Sequence, residues 1–507
     1  MTNNGIVYGL HDRPPAARAF VLALQHALTM FGATVSVPLL LGPEMGMDRA
    51  QIGVLISSVM LCSGVATLVQ STFGSRLPII QGVSFSFLAA FFAIISYGKT
   101  VGWGPATMMQ YIAGTIMAGA LVEMTIGFSG LMGWLRRILS PVVVGPVIML
   151  IGLALFLHGA PKAGTHWPTS TMTILLVILF SMILSRKSRF FRIFPILSAL
   201  VVACFACWLL TKTGIFSEGH PARIDFDSIQ HSTWVRYDPG ELFFPWGLPK
   251  FATGFIIAGL AGYLASMIES FGDYHACSHM AGGGDPTPRQ ISRGIGCEGV
   301  GCMLTGVLGG FSSTSYSENI GLVGLTKVGS RYVVQIASII LILLGLFGKF
   351  GAFAATIPGP VVGGLYCVLF GLISAIGVQQ LAKADLSSDR NLFIAGFSLF
   401  MGLSVPAYFG GWAPYAPGWE AHGISLVQSA EQFLSKFSVI REPKAWAQSM
   451  KTILESIGST GMGVAAIIGI ILDNIIPGTP EERGLEIPSL LVPEAADATE
   501  GGPVGKR

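Results

Sequence analysis

The stretch that decides the fold is Ser312-Ser313-Thr314-Ser315-Tyr316-Ser317-Glu318-Asn319. It is too polar to continue a membrane helix, and the apolar run that follows it is too short to cross a bilayer as one helix, which takes about 20 residues. A second stretch of this kind, Leu77-Pro78-Ile79-Ile80-Gln81-Gly82, also precedes a short apolar run. Irregular backbone at membrane depth is tolerated only where it is buried in protein or lines a cavity, and its free N–H groups can bind a polar ligand. Both stretches are therefore predicted to border a ligand site.

The composition places the rest of the chain in a membrane. Of its 507 residues, 52% are hydrophobic and 11% are charged, and the mean hydropathy of +0.66 lies above the range of soluble domains. Apolar blocks of roughly 15 to 25 residues recur along its length, each long enough to cross a bilayer as a helix. They predict an all-α polytopic membrane protein with fourteen transmembrane segments at about 19–41, 52–70, 83–95, 106–134, 141–157, 172–184, 193–210, 251–274, 294–310, 314–326, 332–347, 361–377, 392–405 and 462–476.

Two long polar connections, 211–250 and 410–461, follow the seventh and thirteenth segments. The first connection divides the chain into two sets of seven, and because seven crossings reverse direction, the halves are predicted to form an inverted repeat. Many secondary transporters place their site at the midplane of such a repeat, and the two broken segments are third in each half. All 30 Lys and Arg lie outside the predicted segments, mostly on the side of the N-terminus, so both termini are predicted to be cytoplasmic.

Acidic residues occur inside the predicted segments, and no Lys or Arg is expected beside them. They are Glu123, Glu269, Asp273, Glu298 and Glu318, with Asp473 near the end of the last segment. At this depth a carboxylate must be protonated, hydrogen-bonded or matched by a mobile cation, as a proton-coupled or sodium-coupled carrier requires. Glu269 and Asp273 lie one turn apart on one helix face, so one of them should hold a proton. We interpret Glu123 and Glu298 as protonated groups in interhelical hydrogen bonds, and Glu269 and Glu318 as functional.

The tenth segment contains Glu318-Asn319-Ile320-Gly321-Leu322-Val323-Gly324-Leu325-Thr326-Lys327, which resembles the signature of the nucleobase-ascorbate transporter family, also called nucleobase:cation symporter-2. Three further motifs resemble that family. Gln25-His26 is similar to its first-helix pair, Glu269-Ser270-Phe271-Gly272-Asp273 to its acidic motif in the eighth helix, and Gly82-Val83-Ser84-Phe85 to its third-segment stretch. The likeness spans most of the chain and excludes the tail after Pro477.

The resemblance implies a seven-plus-seven inverted repeat, divided into a core domain and a gate domain, that works as a dimer by an elevator-like shift of the core. The implied divisions are a cytoplasmic N-terminus (1–18), the first half of the core (19–134), the first half of the gate with an outer loop (135–250), the second half of the core (251–350), the second half of the gate with a long outer loop (351–477) and a disordered cytoplasmic tail (478–507).

The resemblance also implies roles for individual residues. Glu269 and Glu318 would hydrogen-bond the two edges of the substrate, with Phe85 stacking on its ring and Tyr316 flanking it. Three side chains would support this site: Gln25, His26 and Asn319. Asp273, with Glu269, would take the coupling proton or cation, although uracil-type bacterial relatives have His at the position of Asp273.

The implied substrate is a nucleobase. Glu at position 318, rather than Pro or Gln, favours uracil or xanthine, leaves uric acid open, and disfavours the ascorbate branch and the typical purine-specific branch. Two alternatives are a sodium-coupled nucleobase carrier and an anion transporter of the related seven-plus-seven fold. A membrane-embedded enzyme is disfavoured because no nucleophile with its base, metal cluster or phosphate loop is found in the segments. We expect no cofactor, no metal and no nucleic-acid partner, but a lipid bilayer of the bacterial inner membrane and a homodimer.

Overall fold

A computed structural model describes residues 6–133, 138–236, 238–409, 458 and 460–485. This part of the chain is predominantly helical. Its main helices are α1 Ala16–Glu44, α2 Arg49–Thr72, α3 Leu88–Thr100, α4 Pro105–Ser129, α5 Pro141–Ala154, α6 Phe156–Gly164, α7 Trp167–Ile178, α8 Ser185–Lys187, α9 Arg189–Ile193, α10 Pro195–Lys212, α11 Asp227–His231, α12 Pro239–Leu242, α13 Thr253–Met280, α14 Pro288–Leu308, α15 Ser317–Thr326, α16 Arg331–Leu346, α17 Gly348–Ala354, α18 Gly359–Leu381, α19 Asp389–Phe409 and α20 Gly461–Ile475.

Many of these helices are suited to a bilayer. Nine helices of the described part are long and apolar enough to cross a membrane, and three shorter apolar helices accompany them. Every one of the fourteen predicted segments overlaps a helix. The predicted all-α polytopic class is therefore confirmed, whereas the count of fourteen crossings stays a prediction.

The two broken segments form short strands that pair with each other inside the bundle. Strand β1 (Gln81–Val83) runs antiparallel to β2 (Ser313–Ser315), with Gln81 opposite Ser315, and both strands are buried throughout. Beyond the ladder, Tyr316 N donates to the carbonyl of Ile80 at 3.0 Å. Each strand leads into a short helix, α3 after β1 and α15 after β2. The prediction of two broken segments is confirmed, and their antiparallel pairing agrees with the opposite orientation of the two halves in an inverted repeat.

Glycines allow the helices around these strands to approach closely. A Cβ added to Gly127 of α4 would lie 2.2 Å from the backbone nitrogen of Gly296 in α14. A Cβ added to Gly64 of α2 would lie 2.7 Å from the backbone oxygen of Ser338 in α16. Small residues at such crossings are the usual means of packing helices in membranes, where van der Waals contact replaces the hydrophobic effect.

Asp473, at the end of α20, has basic partners that the sequence analysis did not expect. Its side chain is fully buried, with Arg390 Nη2 2.9 Å from Oδ1 and Arg483 Nη2 2.7 Å from Oδ2. The expectation of an acid without a base is wrong here because Arg483 reaches back from beyond the last helix. Residues 478–485 are thereby docked on the bundle, in contrast to the predicted disordered tail; residues 486–507, and most of the predicted outer loop 410–461, lie outside the described residues.

The contact between α4 and α14 predicts that replacing a glycine inside it destabilises the protein more than replacing a glycine elsewhere. The Cβ of Gly127→Ala would push the α4 backbone away from the α14 backbone, so we expect the free energy of unfolding to fall by about 1–3 kcal/mol. The matched control is Gly371→Ala in α18, where an added Cβ meets nothing within 4 Å. Thermal unfolding of the two purified variants in detergent measures the difference. Equal melting temperatures would show that the contact is not tight.

Candidate functional site

Helix α13 supplies the two acids of the predicted acidic motif. Glu269 is half-buried and makes no hydrogen bond to any other described residue, whereas Asp273 is buried and accepts from the Ser317 hydroxyl, which is 2.9 Å from Oδ1 and 3.1 Å from Oδ2. The two carboxyl groups lie within electrostatic range of each other and of Glu318. The acids that the sequence analysis grouped together are therefore close in space.

Helix α15 begins directly after β2 and presents Glu318 and Asn319 in its first turn. The Glu318 side chain is exposed and makes no hydrogen bond to another described residue, while Asn319 is fully buried. The Asn319 amide donates to Nδ1 of His26 at 3.1 Å and to the backbone carbonyl of His26 at 3.0 Å. Asn319 thus ties α15 to α1, and two of the three residues predicted to support the site, His26 and Asn319, are bonded to each other.

The two aromatic residues predicted to flank the substrate, Phe85 and Tyr316, differ in how deeply their rings are buried. Phe85, just after β1, is half-buried. Tyr316 is buried, and a Cβ on Gly82 would lie 2.4 Å from its Cζ, so its ring covers that glycine. The Tyr316 hydroxyl donates to the carbonyl of Val83 at 2.9 Å and accepts from Thr34 at 3.3 Å. Tyr316 is thus fixed against β1, whereas Phe85 keeps an accessible ring.

The polar groups of this region fall into a satisfied set and a free set. His26 and Asn319 are paired, and so are Asp273 and Ser317. The free groups are the carboxyl groups of Glu269 and Glu318, the Oε1 atom of the half-buried Gln25 and the Oδ1 atom of Asn319, none of which has a partner among the described residues. Buried polar atoms are normally paired, so the unpaired buried oxygens of Gln25 and Asn319 are available to a ligand.

A separate polar network lies behind β2 and involves Glu298. Both of its oxygens accept hydrogen bonds from neighbouring elements, at 2.7 Å from Ser270 and 2.9 Å from Tyr274. Interhelical hydrogen bonding of Glu298 agrees with the prediction. The same prediction is wrong for Glu123, neither of whose oxygens reaches a hydrogen-bond partner in the described part of the chain.

Two contributors to the geometry were not identified from the sequence. Ser317 holds Asp273, and Thr34 of α1 holds the hydroxyl of Tyr316. Ser317 stands one residue before Glu318 in the polar stretch, so its position carried a signal. Thr34 lies among small residues in a long apolar helix, and nothing local distinguishes it from a packing residue.

A polytopic helical bundle, with two broken segments that pair inside it and acids beside them, two of which have no hydrogen-bond partner among the described residues, is the architecture of a secondary transporter. A sequence model of the Permease family, the xanthine and uracil permease type, matches residues 17–411. The chain belongs to the nucleobase-ascorbate transporter family. It is a membrane transporter and not an enzyme.

Individual relatives agree with this assignment. Solute carrier family 23 member 2 of Rattus norvegicus is 36% identical over 95% of this chain and 76% of its own length. Solute carrier family 23 member 1 of the same species is also 36% identical, over 95% of this chain and 82% of its own length. Nucleobase-ascorbate transporter 12 of Arabidopsis thaliana is 33% identical over 95% of this chain and 71% of its own length.

Solved structures share the fold. The transmembrane domain of the cyanobacterial bicarbonate transporter BicA matches with a TM-score of 0.52 at 14% identity, over 76% of this chain and 95% of that domain. The murine anion transporter Slc26a9, in its inward-facing state, matches with a TM-score of 0.56 at 10% identity, over 77% of this chain and 65% of that one. Both are inverted-repeat transporters, and at these identities the likeness shows the fold alone.

The free carboxylates predict different effects of two conservative substitutions. Glu269→Gln replaces an acceptor pair with a mixed amide inside the site, so we expect it to abolish uptake while the protein stays in the membrane. Glu318→Gln, at a more exposed position, should change substrate selectivity more than protein abundance. Whole-cell uptake with immunoblotting of membranes measures both effects. Unchanged transport by Glu269→Gln would remove that residue from the site, and disappearance of the Glu318→Gln protein would indicate a structural role.

Proposed function

We propose that this transporter imports a nucleobase, uracil or xanthine with uric acid as a further candidate, together with a proton. The observation that carries the proposal is that the carboxyl groups of Glu269 and Glu318, on two different elements, lie within electrostatic range of each other and make no hydrogen bond to another described residue, while the ring of Phe85 after β1 is only half-buried. A flat heterocycle with alternating donors and acceptors needs planar hydrogen-bonding groups and an aromatic face. The names of the plant relatives, which include the word nucleobase, support the same class of substrate.

The proposed roles follow from which groups are free. Glu269 would bind ring N–H groups and a carbonyl of the base, after taking a proton where it must donate, and Glu318 would bind the other edge. Phe85 would stack on the ring, and Gln25 offers a free amide oxygen nearby. Tyr316 would contribute from its fixed position, while His26 and Asn319 would brace α1 against α15. Asp273, with Glu269, would carry the coupling proton.

Proton coupling is favoured over sodium coupling by the surroundings of Asp273. Among the described residues, the Ser317 hydroxyl is the one hydrogen-bond partner of this carboxyl group and contacts both oxygens. Sodium and other hard cations prefer several oxygen ligands at short distance, and no second oxygen ligand is held against Asp273 by a hydrogen bond within the described residues. A sodium-coupled nucleobase carrier is the alternative, and the uptake assay below separates the two.

Helix packing supports the proposed division into core and gate. Within the gate, Gly145 of α5 packs on Leu381 of α18. A Cβ added to Gly145 would lie 2.6 Å from the Leu381 Cβ. In α19 and α20, Gly402 and Gly461 contact each other's backbone. Together with the contacts of α4 on α14 and α2 on α16, these pairs join helices within each proposed domain. An elevator-like shift of the core, in a homodimer of the bacterial inner membrane with cytoplasmic termini, is the corresponding mechanism.

The fold neighbours do not favour an anion substrate. BicA and Slc26a9 transport anions by their printed descriptions, but they resemble this chain in fold alone. Glu269 and Glu318 would repel an anion at the very place where this chain has free hydrogen-bonding groups. We therefore place a nucleobase ahead of bicarbonate or sulfate.

Whole-cell uptake of radiolabelled uracil, xanthine, uric acid and ascorbate tests the proposal. We expect uptake of uracil or xanthine that is lost with a protonophore and does not need sodium. Competition by an excess of each unlabelled compound ranks the substrates. Uptake that ignores the protonophore but requires sodium would contradict proton coupling, and uptake of ascorbate alone would contradict the nucleobase.

A further inference from the structure

Four basic residues lie in the hairpin that joins two membrane helices, α7 and α10. The helical stretch Trp167–Lys187, which includes α7, and α10 itself are both long and apolar enough to cross a membrane. The chain between them forms only the short helix α9, so the hairpin stays close to the ends of both membrane helices. We call its basic residues the basic cluster: Arg186, Lys187, Arg189 and Arg192.

The basic cluster has no acidic partner among the described residues. The sequence contains no Asp or Glu between Glu123 and Glu218, so the neighbouring chain supplies no counter-charge. All four residues of the cluster are exposed, and none forms an ion pair with a residue that the structure describes. Four like charges so close in the sequence repel one another, and an anion that lies among them relieves this repulsion.

The backbone holds the basic cluster in a compact turn. Ser188 is extended, with φ −131° and ψ 129°, and separates α8 from α9. The Ser188 N–H donates to the carbonyl of Leu184 at 2.9 Å. The Arg192 Nε atom donates to the carbonyl of Ser185 at 3.0 Å, which brings the last cation of the cluster back to the residue that precedes the first. The Nη groups of Arg192 make no hydrogen bond to another described residue, so they remain available to an acceptor.

Apolar side chains that flank the basic cluster in the sequence are also exposed. Met182 is 54% exposed, Ile183 52% and Phe190 58%. Phe190 lies beside two further rings, with centroid distances of 5.4 Å to Phe191 and 5.6 Å to Phe194. Aromatic side chains at the end of a membrane helix lie where acyl chains meet headgroups. The cluster therefore combines unpaired cations with a surface that suits acyl chains.

We propose that the basic cluster binds the headgroup of an anionic phospholipid whose acyl chains lie against Met182, Ile183 and Phe190. Guanidinium groups match phosphate oxygens in geometry as well as in charge, and basic residues next to a membrane helix attract anionic lipid. A zwitterionic headgroup would bring an ammonium group among the four cations. The exposed apolar side chains favour a lipid over a free anion, which would leave them uncovered. Such binding does not depend on which substrate the protein transports.

Native mass spectrometry of the purified full chain in detergent tests this binding, with phosphatidylglycerol and phosphatidylcholine of equal acyl chains as the probes. We expect the wild type to retain phosphatidylglycerol in preference to phosphatidylcholine. Lys187→Gln combined with Arg189→Gln should weaken the binding of phosphatidylglycerol by about tenfold or more, because each basic residue near the headgroups adds to the attraction. The matched control is Lys212→Gln combined with Lys250→Gln, which removes the same charge from exposed positions in the predicted outer loop 211–250. This control should retain phosphatidylglycerol as the wild type does.

A measurement on the wild type alone needs no variant to fold. Raising the salt concentration should release phosphatidylglycerol, because salt screens exposed charges, and should leave phosphatidylcholine unaffected. Equal retention of the two lipids by the wild type, or retention of phosphatidylglycerol that ignores salt, would overturn the proposal. Unchanged binding by the Lys187 and Arg189 double variant, or an equal loss in the control, would show that the cluster is not the site. Displacement of the lipid by inorganic phosphate at equal concentration would instead indicate a site for free anions.

Discussion

The antiparallel pairing of Gln81–Val83 with Ser313–Ser315 is the interaction on which the rest of the structure depends. A strand at membrane depth has no water to hydrogen-bond, and each unsatisfied backbone group costs roughly several kcal/mol of free energy in hydrocarbon. Two interrupted segments from distant parts of the chain solve this problem for each other. Their pairing also fixes where α3 and α15 begin, and thereby where Phe85 and Glu318 stand.

Helix α13 connects this strand pair to two polar regions at once. Ser266, Ser270 and Tyr274 recur every four residues and direct donors to Glu298 behind β2. Glu269 and Asp273 form a neighbouring stripe on the side of α15. The first stripe is hydrogen-bonded to Glu298 and to β2, while Glu269 in the second stripe makes no hydrogen bond to another residue that the structure describes. One face of α13 therefore holds β2 in place, and the adjacent face carries a carboxyl group that is available to a ligand.

The broken segments and the acids could be predicted from the sequence because their signals are local. A run of hydroxyl residues before a short apolar block cannot be a continuous membrane helix, and a carboxylate in an apolar segment is conspicuous. The register of β1 on β2 could not be predicted, since strands of three residues carry no usable alternation. The partners of Asp473 were also missed, because Arg483 belongs to a stretch rich in Pro, Glu and Gly whose composition alone indicates disorder.

Glycine at position 82 determines how the two aromatic residues of the site differ. Any side chain there would occupy the space of the Tyr316 ring, which lies 2.4 Å from a Cβ placed on that residue. With Gly82, the Tyr316 ring closes over β1, and its hydroxyl satisfies the carbonyl of Val83 where the ladder ends. One aromatic residue is therefore used to complete the strand pair. Phe85 makes no such contact and lies in the 3-10 turn Phe85–Phe87 that precedes α3, so its half-buried ring remains available to a flat ligand.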